Sequence, residues 1–278
     1  MLASIDVNLP GGGVLRAHDA GTVADASSGP VLMWHHGSPQ TGAPLEPVAA
    51  AAAARGIRLI SYARPSYGGS SARPGRDVGS AGDDATAVAD AFGVDRFATM
   101  GASGGGPHAL AVAARHPQRV SGVVTLAALA PFTARFDWFG GMRAPGGLRS
   151  AREGGRAARA RFAEADEFDP EQFLPADFAA LEGAWSDLGA DVARSAEFGD
   201  DGLIDDDVAF TSDWGFELAE VVAPVLVVQG EGDRVVPRTH ASWLLAHLPD
   251  ATLWMRLDDG HVSVLDVVPD AMDWLLEH

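Results

Sequence analysis

Short apolar runs recur along this 278-residue chain, each bounded by glycine, proline or charge. They are Val31–Trp34, Arg58–Tyr62, Arg96–Met100, Val120–Leu126, Pro224–Gln229 and Thr252–Leu257. Most are rich in Val, Ile or Leu, without polar alternation. Such runs mark strands covered on both faces, as in a parallel sheet. Between them the spacing turns helical, at Pro47–Arg55, Ala81–Phe92, Pro107–His116 and His240–Leu248. Strand and helix in alternation predict a doubly wound, mostly parallel α/β sheet. Ser4–Val14, with Pro10-Gly11-Gly12-Gly13, predicts an added edge hairpin.

The alternation stops near Pro131 and resumes near Pro224. Helical patterns fill the gap at Gly147–Glu164, Ala176–Leu188 and Asp205–Trp214, with no convincing strand. Residues Phe132 to Phe216 hold 13 of the 21 aromatics. The expected organisation is a core of residues 1–130 and 218–278 with a helical cap, 131–217, inserted into it. Most of the cap's aromatics fill its own small core, and some face the cleft, since pockets are lined mainly by apolar groups.

Composition narrows the chemistry. All 20 basic residues are arginine, and cysteine is absent. That excludes a lysine Schiff base, a P-loop lysine, a thiol nucleophile and cysteine-type metal sites. The net charge of −18 repels phosphate backbones and anionic lipid surfaces, so neither nucleic acid nor membrane is an expected partner. No apolar run approaches the ~18 residues of a membrane span. Met1–Pro10 lacks a basic segment and carries Asp6, which predicts no signal peptide and a cytoplasmic protein. Leu276-Glu277-His278 reads as the start of a purification-tag scar and is given no functional weight.

The sharpest motif is Gly101-Ala102-Ser103-Gly104-Gly105, between the run Arg96–Met100 and the helix Pro107–His116. This is G-x-S-x-G in a strand–turn–helix setting. A serine on so sharp a turn needs glycine two residues to either side. The turn lifts its hydroxyl clear of the sheet and sets it at a helix N-terminus, where peptide N–H groups stabilise a developing oxyanion. The plain alternative is a helix-capping serine in a glycine-rich turn.

A serine nucleophile needs a base. His261, in Asp258-Asp259-Gly260-His261, lies just past the last predicted strand, on a loop at the edge where open α/β sheets bind ligands. His18, His116, His240 and His247 read as surface residues, and His108 points away from the serine hydroxyl. The base needs an orienting acid. Asp233 follows the run Pro224–Gln229 at the same edge, 28 residues before His261, which leaves room for one helix and one strand. Glu231 is its competitor. An oxyanion hole is expected from the backbone N–H groups of Ser38 and Gly104, with His36 holding the Ser38 loop by hydrogen bonding.

The order Ser103, Asp233, His261, the loop His36-Gly37-Ser38-Pro39 and the serine elbow together resemble the serine α/β-hydrolase fold family. The resemblance covers roughly residues 30–130 and 222–275. The segment Tyr62-Ala63-Arg64-Pro65-Ser66 also resembles a family loop, with Ala63 and Ser66 where Asp and Gly are usual. Some members take the acid from an earlier loop, here near Leu126–Phe132, where no carboxylate lies. The resemblance implies Ser103 as nucleophile, His261 as base then acid, Asp233 as its orienter, and an acyl-enzyme hydrolysed by water. No cofactor or metal is implied. A small-molecule carboxylic ester is the expected substrate.

Rivals stay open. The same triad serves aminopeptidases, lactonases and C–C bond hydrolases, and a non-catalytic receptor can retain it. An aminopeptidase would hold the substrate amine with Glu164, Asp166, Glu167 or Asp169. The arginines 149, 152, 156, 159 and 161 either anchor a substrate carboxylate or form a solvated helix face; the second is the expectation. A metal site on Asp200, Asp201 and Asp205–Asp207 lacks a calcium-loop pattern.

Overall fold

The structure, a computed structural model, describes residues 2–21 and 29–278. The strands are β1 (Ala3–Asn8), β2 (Val14–Gly21), β3 (Val31–His35), β4 (Arg58–Tyr62), β5 (Phe97–Ala102), β6 (Val120–Leu126), β7 (Val225–Gly230) and β8 (Ala251–Arg256). They form one sheet in the order β1-β2-β4-β3-β5-β6-β7-β8. β2 is antiparallel to β1 and β4, and every other neighbouring pair is parallel. The central strands are covered on both faces, which is why they read as unbroken apolar runs.

Side chains along each strand divide between two cores. Leu32, Trp34, Val124 and Val228 pack on one side with α1 (Glu46–Ala54) and α9 (Val268–Glu277). Met33, Ile60, Val123 and Val227 pack on the other with α2 (Ala81–Ala91), α3 (Gly105–Arg115) and α8 (Arg238–His247). All the loops discussed below leave the carboxyl ends of the parallel strands, so they gather along one edge.

Between β6 and β7 the described residues form helices and no strand: α4 (Gly146–Ala163), α5 (Pro175–Glu182), α6 (Ser186–Ser195) and α7 (Asp201–Phe210). The expected helix Ala176–Leu188 is two helices, broken at Gly183, and α7 starts four residues before the expected Asp205. α4 is kinked at Gly155, whose φ is 62°. β2 runs on to Gly21, beyond the expected hairpin, and α9 was not anticipated; it includes Leu276 and Glu277.

Of the α4 arginines, 149, 152, 156 and 161 are exposed, as expected of a solvated face, and Arg159 is the exception. Arg159 is buried and pairs with Asp207 at 2.5 Å; Arg156 binds Asp205 at 2.8 Å. Arg149 and Arg152 lie over the rings of Phe139 and Phe132. These contacts fasten α4 to α7 and to the chain leading into it. Two expected surface histidines are also buried. His240 accepts from the Ala130 N–H and donates to the Trp138 carbonyl; His18 bonds Ser4 inside the β1–β2 hairpin.

Candidate active site

Ser103 sits at the tightest point between β5 and α3, with φ of 51°. That left-handed conformation costs a non-glycine residue of order 1 kcal/mol, and it is held by the surrounding turn. The Ser103 N–H donates to Leu126 O, and its carbonyl accepts from Gly106 N. A Cβ at Gly101 would overlap the carbonyl of Gly105, and one at Gly105 would overlap the carbonyl of His35. Both glycines are therefore steric requirements of the elbow.

The Ser103 hydroxyl lies 3.0 Å from His261 Nε2, and His261 Nδ1 lies 2.8 Å from Asp233 Oδ2. Asp233 accepts at Nδ1, so the proton sits there and Nε2 is free to accept from Ser103. The residues are 158 and 28 positions apart, brought together by the loops after β5, β7 and β8. Asp233 is buried and held by four donors. Its Oδ1 accepts from the N–H groups of Val235 and Val236, and its Oδ2 from His261 and, at 3.2 Å, the Gln229 amide. Glu231 instead pairs with Arg238 at a half-exposed position.

His261 is itself held from the helical insertion. Asp177, at the start of α5, is fully buried. Its Oδ1 accepts from the N–H groups of Val262 and Ser263, both at 2.8 Å, and from the Ser263 hydroxyl. A Cβ at Gly260 would overlap the Asp177 carboxylate, so the histidine loop requires glycine there. Burial lowers the pKa of His261. The charge and hydrogen bond of Asp233, with the charge of Asp177, more than offset this and leave it raised above 6.5.

The Ser38 side chain packs against Gly104, the residue after Ser103. A Cβ at Gly104 would come within 3.2 Å of Ser38 Cβ. Neither the Ser38 nor the Gly104 N–H has a partner among the described residues. The Ser38 hydroxyl donates to Asp206, a fully buried residue of α7. Asp206 also accepts from Arg64 and Arg76, each at 2.6 Å, and from the Tyr67 hydroxyl at 2.8 Å. Burial opposes its charge, but the two guanidinium groups hold its carboxyl well below the ordinary range. His36 secures the same loop. Its Nδ1 donates to the Gly37 carbonyl and its Nε2 accepts from the Arg64 N–H. Burial, reinforced by Arg64, keeps its pKa well below 6.5, so the ring is neutral. His108 turns inward and donates to the Gly104 carbonyl.

A third insertion carboxylate, Asp191 of α6, accepts from the N–H and hydroxyl of Thr41. Asp177, Asp191, Asp206 and Arg64 were not anticipated as site residues. Asp177 offered one signal, an acid three residues into a helix after Leu174-Pro175, which is a capping pattern.

A cavity of about 380 Å³ opens at Ser103 and His261. Its walls are mainly apolar, including Leu45, Phe173, Leu181, Leu188 and Leu265. No arginine, aspartate or glutamate lines it among the described residues. A second, larger cleft of about 520 Å³, at Phe132, Trp214 and Trp243, includes none of the three hydrogen-bonded residues. No group of three or more candidate ligands for a metal occurs among the described residues. Asp201, Asp205, Asp206 and Asp207 each pair with arginine. No helix of the described residues is long and apolar enough to cross a membrane.

The chain is similar to proteins already known. A pimeloyl-(acyl-carrier protein) methyl ester esterase of Aromatoleum aromaticum is 30% identical over 259 residues, 85% of this chain and 92% of that protein. The crystal structure of a bromoperoxidase from Bacillus anthracis superposes with a TM-score of 0.75, at 21% identity, over 100% of both chains. That of an enol-lactonase from Burkholderia xenovorans gives 0.74, at 20% identity, over 99% of this chain and 100% of that one. A family model described as alpha/beta hydrolase fold matches residues 30–267, and on that match the chain belongs to the alpha/beta hydrolase fold family.

Proposed function

We propose that the chain is a serine hydrolase of carboxylic esters, working through an acyl-enzyme, with residues 131–217 as a cap over the site. The observation that carries this reading is the continuous hydrogen-bonded chain from Ser103 through His261 to Asp233. Ser103 Oγ attacks the ester carbonyl as His261 Nε2 takes its proton. The new oxyanion accepts from the N–H groups of Ser38 and Gly104. His261 then protonates the departing alcohol, which leaves Ser103 acylated. Water, deprotonated by His261, attacks the acyl carbon; the carboxylic acid leaves and Ser103 recovers its proton. Asp233 fixes the ring and stabilises the imidazolium throughout.

The ester reading is also supported by the methyl ester esterase relative. The apolar cavity favours small or medium uncharged acyl groups. An aminopeptidase needs a carboxylate near the substrate amine, and none lines the cavity among the described residues. The test is hydrolysis of p-nitrophenyl esters from acetate to decanoate by wild type and Ser103→Ala. Wild type should show a chain-length optimum, and Ser103→Ala should lose about 10⁴-fold or more in kcat while keeping its circular dichroism spectrum. Undiminished turnover in Ser103→Ala would end the mechanism.

A further inference from the structure

One buried guanidinium grips three consecutive residues of the Ser38 loop. Arg64 is 1% exposed and lines no part of the cavity. Its Nη1 donates to the His36 carbonyl. Its Nη2 donates to the Gly37 carbonyl at 3.3 Å and to Ser38 Oγ at 2.8 Å. The Gly37 carbonyl also accepts from His36 Nδ1 at 2.6 Å. That carbonyl belongs to the same peptide unit as the Ser38 N–H. The unit is trans, so the two groups point in opposite directions. Holding the carbonyl on Arg64, away from the cavity, turns the N–H to the other side, and Gly37, Ser38 and Ser103 all line the cavity. The charge next to this peptide is also unbalanced. Arg64 and Arg76 each pair with Asp206 and with no other carboxylate among the described residues. All three are buried, so two cations face one anion. The nearby Asp84, Asp205 and Asp207 are matched by Arg73, Arg156 and Arg159.

We infer that Arg64 is a positioning residue of the oxyanion hole: it aims the Ser38 N–H and strengthens that donor against developing negative charge. It acts through the peptide and does not touch the substrate. A cation bound to a carbonyl draws electron density from the peptide nitrogen, which makes the N–H a better donor, and a low-dielectric interior enlarges the effect. The Gly104 N–H lacks this support. The carbonyl of its peptide unit, that of Ser103, accepts from the uncharged Gly106 N–H. An oxyanion gains more from a polarised donor than a neutral ester carbonyl does, so the contribution of Arg64 falls on kcat rather than KM. The inference rests on the ester-hydrolase reading for the oxyanion hole itself, and its test has an arm independent of turnover.

The first arm is p-nitrophenyl butyrate hydrolysis by wild type, Arg64→Gln and Arg64→Lys. Both variants leave Asp206 paired with Arg76, so no carboxylate is stranded in the interior. Arg64→Gln removes the charge and should lower kcat about 30-fold, less than the ~10²–10³-fold cost of deleting a hole donor, with KM held within about twofold. Arg64→Lys keeps the charge without the planar fork and should lose only about 5-fold. Equal losses in the two variants, or a loss carried by KM, overturn the inference. The second arm is calorimetric binding of pentyl trifluoromethyl ketone and pentyl methyl ketone. Ser103 Oγ bonds to the carbonyl carbon of the first, the hydroxyl proton passes to His261, and the carbonyl oxygen becomes an oxyanion in the hole; the second stays a neutral ketone. Arg64→Gln should weaken the trifluoromethyl ketone about 30-fold and the methyl ketone by less than about twofold. That split supports the inference even if no ester is turned over, an outcome that would count against the ester reading alone. Equal weakening of the two ketones overturns the role of Arg64 even if esters are hydrolysed. Wild type that binds both ketones equally removes the hole, and the role of Arg64 with it.

Discussion

At the residue scale, the basicity of His261 comes from two carboxylates, of which only Asp233 touches its ring. Asp177 acts through space and through the backbone just after the histidine. The ring must be neutral to accept the Ser103 proton, so activity falls as pH drops through its pKa. Since that pKa is raised, the acid limb of kcat/KM should lie above about 6.5. Asp177→Asn retains an oxygen for the two N–H groups and removes the charge. The limb should then move to lower pH, read from a pH–rate profile with Ser103-dependent turnover. A limb that stays in place would limit Asp177 to a purely mechanical role.

At the element scale, Gly104, Gly105 and Gly260 each meet a neighbour contributed by another part of the fold. Gly260→Ala would push the histidine loop away from Asp177. A displacement of about 1 Å at a catalytic group costs on the order of 10²-fold, so esterase kcat/KM should fall by about that much. The elements themselves were legible to different degrees. β3 to β7 announced themselves because burial on both faces makes a strand uniformly apolar. β2 did not, because Arg16, His18 and Asp19 interrupt its apolar pattern, although the strand is paired on both sides, by β1 and β4. α9 has a helical apolar spacing at Val268, Ala271, Met272 and Leu275. The insertion was legible as helical but blurred in its boundaries, because Gly183 and Gly155 interrupt patterns that otherwise continue.

At the scale of the whole molecule, buried ion pairs carry the attachment of the insertion to the sheet. Asp206 faces Arg64 and Arg76 with almost no exposure, so Asp206→Ala strands two cations in the interior. Chemical denaturation should report a loss of about 3–5 kcal/mol. Asp201→Ala breaks only a surface contact with Arg156, and about 1 kcal/mol or less should be lost. This scale also explains what sequence reading reached in the site. Ser103, Asp233 and His261 sit in short local patterns, and local patterns can be read. Asp206 meets Ser38 across 168 positions, and Asp191 meets Thr41 across 150. Such pairings exist only once the fold has formed, and a run of aspartates on a helix looks the same whether it faces water or arginine.

The three insertion aspartates also bear on how such a chain diversifies. Asp177 grips the histidine loop, Asp191 the turn after Pro39, and Asp206 the Ser38 hydroxyl. A free-standing lid could be traded whole for another, bringing a new substrate range at one stroke. Here a graft succeeds only if it arrives with carboxylates at all three places. New specificities are therefore more accessible by single replacements at Leu181, Leu188 or Val192, which face the cavity and grip no loop.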